Sequence, residues 1–156
     1  MALSSTSPTL SGAPDTTSGH QGRLQRLEPE ECWRLLSTES VGRFVFLDSR
    51  GPVAVPVNYV LAEGHRLVFR TEAHGNLALR AGQVRVSLEV DHIDPSFREG
   101  WSVVASGHSH VARPGPETEA LGSLDVEPWA DGVREAYVVI TVQEITGRRV
   151  RHTEAP

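Results

Sequence analysis

His108 and His110 are two residues apart. In a strand this spacing puts both imidazoles on one face, where they suit two ligands of a metal. A third donor is needed, and no Glu follows between Ser109 and Arg113, so the pair reads as surface histidines and no metal is expected. Ser106-Gly107 lacks the strand–turn–helix setting of a hydrolase nucleophile. Cys32 is the single cysteine, which excludes an intramolecular disulfide and a Cys-based zinc site. It has no sequence-adjacent His or Lys to depress its pKa, and lone-cysteine usage fits a reducing cytoplasm. All 15 basic residues are Arg, and without Lys there is no Walker-type phosphate loop. His74, near Glu72, is either a donor to an anion and a candidate acid or an exposed residue at a helix start. Trp129, on a loop with Pro128, is either a lid or interface anchor or a plug at the end of the core, and Trp101 carries the same pair of readings.

Composition bounds what these residues can serve. With 20 acidic against 15 basic residues and a net charge of −5, the chain lacks the basic excess that non-specific nucleic-acid binding requires. No stretch nears the roughly 18 consecutive apolar residues of a membrane span, so no membrane partner is expected. Residues 1–22 are Ser, Thr, Gly and Pro with few large apolar side chains, and they show neither a basic n-region nor an apolar h-region. They read as a disordered N-terminal tail ahead of a single domain over residues 23–152 of a cytoplasmic protein.

The elements that must position the candidate residues follow from periodicity. Pro29 with Glu28, Glu30 and Glu31 predicts a helix start, and Cys32, Leu35 and Leu36 continue it for roughly three turns. The period then falls to two. Val41–Leu47 and Pro52–Leu61 form a hairpin across Asp48–Gly51, with Val53, Val55, Val57, Tyr59 and Leu61 on the core face. Pro56 cannot donate a ladder hydrogen bond, so that strand bulges or lies at an edge there. Further strands are expected at Arg66–Thr71, Gln83–Asp91, Trp101–Ala112, Ala136–Val142 and Ile145–Arg151, with a break near Gln143-Glu144. A short helix is expected over Glu72–Gly82, another within Glu117–Leu121, and a loop from Ile93 to Gly100. Strands joined by short turns, without long alternating helices, predict a mainly β fold, an antiparallel barrel or sandwich.

Several segments carry a resemblance in their order and register: Glu31 to Leu36 (ECWRLL), Val41-Gly42-Arg43, Pro52 to Tyr59 (PVAVPVNY), Leu67 to Thr71 (LVFRT), Gly100 to Val103, Gly107, Pro128-Trp129, Tyr137 to Ile140 and Ile145 to Arg149. From about Leu24 to Val150 the chain resembles the pyridoxamine 5′-phosphate oxidase-like proteins, which are flavin-binding split barrels. The resemblance implies a six-stranded antiparallel split barrel with short helices that works as a homodimer, with two FMN sites at the subunit interface. It places Pro56, Val57 and Asn58 beside the flavin ring, and Phe69, Arg70, Thr71, Asn76 and Leu77 along the ribityl chain and phosphate. Trp101, Ser102 and Val103 come from the partner subunit, and Trp129 lies at the cofactor rim.

The residue chemistry agrees in part. Asn58 offers an amide that both donates and accepts, and Arg70, Thr71 and the start of the following helix offer donors and positive charge to a phosphate. Asn76 stands where family members often carry Lys, so one charge-assisted contact to the phosphate is lost. No counterpart of the true oxidase's substrate-phosphate clamp is evident. Arg148, Arg149 and Arg151 lie on a strand where alternating side chains can simply be solvated. The expected function is an FMN-dependent oxidoreductase acting on a small-molecule substrate, with no catalytic residue assigned. One alternative is a reductase using a deazaflavin coenzyme, as several actinobacterial relatives do, and the Arg-only, Ala/Gly/Val-rich composition is compatible with that origin. The other is a non-catalytic flavin-binding or storage barrel.

Overall fold

The computed structural model describes residues 23–82 and 85–151. Residues 1–22, Gln83, Val84 and residues 152–156 lie outside them. The chain runs β1 (Arg23–Leu27), α1 (Pro29–Leu36), β2 (Val41–Asp48), β3 (Gly51–Ala62), β4 (Arg66–Thr71), α2 (Asn76–Arg80), β5 (Val86–Asp94), β6 (Glu99–Val111), α3 (Pro116–Gly122) and β7 (Ala136–Arg151). Every strand pairing is antiparallel. The order is β1-β7-β4-β3-β2-β5-β6, and β6 also pairs with β7. That last pairing closes β7, β4, β3, β2, β5 and β6 into a six-stranded split barrel and leaves β1 appended to the far end of β7.

The inward face follows the two-residue period. Phe44, Leu88, Val90, Val103, Ala105, Val138 and Ile140 are fully buried inside the barrel together with Phe69. Each large apolar side chain so buried contributes on the order of 2 kcal/mol. α1 closes one end with Cys32, Leu35 and Leu36. It spans eight residues, not three turns, because the Ser37 hydroxyl and backbone N–H both turn back to the Arg34 carbonyl and end it. Burial raises the Cys32 thiol pKa, so this cysteine is a packing residue. The Tyr59 hydroxyl donates to the Leu36 carbonyl at 2.5 Å, which ties α1 to β3, and burial raises its pKa as well. A second apolar cluster of Val68, Ala112, Leu121, Val126 and Val139 packs α3 and the following loop onto the outer face.

Four local expectations are corrected. β1 was not foreseen as a strand; its side chains are exposed except Leu27, so it shows no apolar alternation. The helix expected over Glu72–Gly82 is only the five residues of α2, with one turn, closed by the Gly75 N–H on the Glu72 carbonyl, left before it and Gly82 in a positive-φ conformation after it. The expected loop from Ile93 to Gly100 is shorter, with β5 and β6 pairing out to Asp94 and Glu99 and only residues 95–98 left as the turn. The two C-terminal strands are one, β7, and the break near Gln143 is a β-bulge: Ser106 pairs with Glu144 and Gly107 with Val142, leaving Gln143 as the extra residue.

Candidate functional site

The site begins where two strands part. β3 and β4 pair from Ala62/Arg66 to Tyr59/Phe69 and no further. Beyond that point β4 stays on β7 through Thr71, while β3 continues along β2 alone from Asn58 to Gly51. The edge of β3 at residues 52–58 therefore faces away from β2 without a ladder partner, and Pro56 sits on it, as its missing N–H requires. Asn58 and Arg70 are the first residues past the fork, one on each prong.

The loop after α3 bridges the prongs. The Trp129 backbone N–H donates to Asn58 Oδ1 at 2.9 Å, and Arg70 Nε donates to the Arg134 carbonyl at 2.9 Å. The Arg70 guanidinium also lies over the Tyr137 ring, 5.4 Å from its centroid. Trp129 itself is 75% exposed at the mouth of the fork. The Trp129 N–H settles the orientation of the Asn58 amide, because only the oxygen end can accept from it. The other end, Nδ2, is buried and has no hydrogen-bond partner among the described residues. A buried N–H donor left unmade costs on the order of 1–3 kcal/mol, so this amide is set up for an acceptor that the chain does not supply.

The expected site residues thus divide. Pro56, Val57, Asn58, Arg70, Thr71 and Trp129 gather at the fork. Phe69 is fully buried with its ring 4.9 Å from Phe44, so only its backbone faces the fork. Asn76 is exposed at the first position of α2, and Leu77 packs back against the core and holds that helix. Trp101, Ser102 and Val103 are elsewhere. They lie on β6, three strands from β3 in either direction around the barrel. Val103 is fully buried, while Trp101 and Ser102 line an apolar pocket of about 370 Å³ at the β5–β6 hairpin, with Ile93 and Arg148. Exposed Ile93 and Phe97 stand at the same hairpin. Sequence reading missed Tyr137 and Arg134 as supports of Arg70, since pairing across more than sixty residues leaves no local signal.

His108 and His110 are exposed, as expected, and no group of three His, Cys, Asp or Glu able to hold a metal exists among the described residues. His110 instead bonds Glu117 at 2.7 Å, which with the Arg113 N–H holds the Glu117 carboxyl below its ordinary pKa and pins α3 to β6. No helix among the described residues is long and apolar enough to cross a membrane.

A closed six-stranded barrel with a forked β3 edge is the architecture of the flavoprotein split barrels, and comparison with known proteins specifies the family. The pyridoxamine 5′-phosphate oxidase family model matches residues 28–149, and the chain belongs to that family. An uncharacterized protein of Mycobacterium tuberculosis is 33% identical over 129 residues, covering 80% of this chain and 84% of its own. Among solved structures, the FAD binding protein from Mycobacterium smegmatis superposes with a TM-score of 0.71 at 28% identity, over 83% of this chain and 100% of that one. A conserved protein of unknown function from Corynebacterium diphtheriae gives a TM-score of 0.69 at 34% identity, over 81% and 98%.

Proposed function

We propose that this chain is a flavin-binding oxidoreductase that holds FMN at the β3–β4 fork, completes the site as a homodimer, and acts on a small-molecule substrate. The observation that carries the reading is the buried, unpartnered Nδ2 of Asn58, oriented by Trp129 at a free strand edge. A flavin ring presents acceptor atoms along its edge, and an apolar slot with one fixed donor is what such a ring needs. The likeness to an FAD binding protein of the same fold supports the cofactor class.

When bound, the flavin supplies hydride or electron transfer; the chain supplies position. Asn58 would donate to the ring edge, Pro56 and the Val57 backbone would line the slot, and exposed Trp129 would cover its mouth. Arg70 and Thr71 lie toward the phosphate with Asn76 and Leu77 beyond them on α2. Trp101 and Ser102 complete the slot from a second copy, since within one copy they stand on the opposite wall of the barrel. The apolar surface around Ile93, Phe97 and Trp101 supports such an interface.

Asn76 favours a second reading in which the flavin is held without turnover, because the α2 position that the resemblance assigns to the phosphate carries no charge. Titration with FMN, FAD and a deazaflavin coenzyme, followed by stopped-flow reduction with a nicotinamide donor, separates the two. Retained flavin that accepts and passes on electrons supports the oxidoreductase. Retained flavin that does not turn over supports the carrier, and no retained flavin overturns both.

A further inference from the structure

Five side chains form one row across β5, β6 and β7 beside α1. In the ladder, Trp101 on β6 lies directly between His92 on β5 and Arg149 on β7. Directly opposed residues share a face with Cβ atoms about 5 Å apart, so the indole has an imidazole on one side and a guanidinium stem on the other. The His92 and Trp101 rings are nearly parallel, 17° apart, with centroids 6.5 Å apart.

Both neighbours of the indole are held by carboxylates, one from α1 and one from the loop behind it. Glu31 bonds Arg149 at 2.6 Å, and Glu39 bonds His92 Nδ1 at 3.1 Å. The Glu39 backbone is itself fixed at the fork. The next residue, Ser40, accepts from the Tyr59 N–H at 3.1 Å, and Val41 pairs with Asn58. Fold stability does not account for the His92 end of the row. Its side chain is 61% exposed, and a polar contact so open to solvent adds little to folding. What the row does is fix the Trp101 indole, a partly buried ring that opens on the apolar pocket of about 370 Å³ at the β5–β6 hairpin. A ring held beforehand loses less freedom when a ligand meets it.

We infer that His92 and Glu39 are positioning residues of the flavin site: Glu39 holds the imidazole, and the imidazole holds the indole that one copy lends to the other. The inference rests on the function proposed above, in which Trp101 meets the flavin of a second copy. Arg149 steadies the other face of the indole but also ties β7 to α1, so the His92 side is the one that can be changed without disturbing the helix.

FMN is the probe, titrated by its fluorescence against the full chain and its variants, with thermal melting as the check on folding. His92→Ala and Glu39→Ala are expected to bind FMN about fivefold more weakly, the worth of one modest contact, and to melt as wild type does. Glu39→Gln keeps an acceptor for the imidazole and is expected to recover most of the affinity. His92→Phe keeps a flat ring against the indole and is expected to lose less than His92→Ala. Trp101→Ala is expected to lose more than either. Adding His92→Ala to it is expected to cost nothing further, because the imidazole acts only through the indole. Trp101→Leu carries the same comparison if Trp101→Ala does not fold. His108→Ala, further along β6, is expected to bind as wild type. In the unloaded protein, the near-ultraviolet circular dichroism that Trp101→Ala removes is expected to be lost in His92→Ala as well. Unchanged FMN affinity in His92→Ala and Glu39→Ala overturns the inference and leaves the flavin reading standing. So does an equal loss from His92→Ala with and without Trp101. A wild type that retains no FMN overturns both.

Discussion

Asn58 has one amide end spent inside the protein and the other buried with nothing to bond, and its two predictions follow from that division. Asn58→Leu removes the unpaired donor while keeping most of the volume. It is expected to leave the melting temperature unchanged or slightly raised and to weaken flavin binding by about five- to thirtyfold, the loss of a hydrogen bond worth about 1–2 kcal/mol. Asn58→Asp keeps an acceptor for the Trp129 N–H but aims an oxygen at the flavin acceptor, so it is expected to bind worse than Asn58→Leu. Flavin fluorescence titration reads both, and an unchanged dissociation constant in either variant would remove Asn58 from the site. Asn76→Lys is expected to raise FMN affinity without changing riboflavin affinity if α2 lies at the phosphate; equal effects on the two ligands would move the phosphate elsewhere.

At the scale of elements, the bulge in β7 and the glycine opposite it set the barrel's closure. A Cβ at Gly107 would run into the Thr141 carbonyl, so Gly107→Ala must shift the β6–β7 ladder. The expected cost is about 3 kcal/mol, seen as a melting temperature lower by about 10 °C. The α3 docking gives a pH dependence. Glu117 has its folded pKa lowered by His110 and the Arg113 N–H, as Glu31 does by Arg149. A lowered carboxylate pKa contributes stability that is present above the unfolded value, near 4, and is lost as pH falls through the folded value. Melting temperature is therefore expected to drop below about pH 4, less steeply in Glu117→Gln. These elements also show what was legible in advance. The alternation of Val86, Leu88 and Val90 and the hairpin around Asp48–Gly51 are local signals and marked β5, β2 and β3 directly. The break near Gln143 was legible as an interruption but not as a bulge, because a bulge is defined by the partner strand. β1 was invisible because its only reason to be a strand is the edge of β7. Asn58, Arg70 and Trp129 are named as candidates by their residue types and the resemblance, but the fork that gathers them depends on where β3–β4 pairing stops, which no local pattern encodes.

For the whole molecule, the two halves of the proposed site lie on opposite walls of one barrel, so a single copy leaves each half incomplete. Sedimentation is expected to show a dimer, and Phe97→Glu at the exposed β5–β6 hairpin is expected to shift it toward monomer and lower flavin affinity in parallel. A monomeric wild type that still binds flavin tightly would disprove the shared site. The most direct test of the central claim is the visible absorption spectrum of the protein after incubation with excess FMN and gel filtration. A flavin band that travels with the dimer at one flavin per chain is expected. A colourless protein after incubation with FMN, FAD and the deazaflavin coenzyme in turn would contradict it.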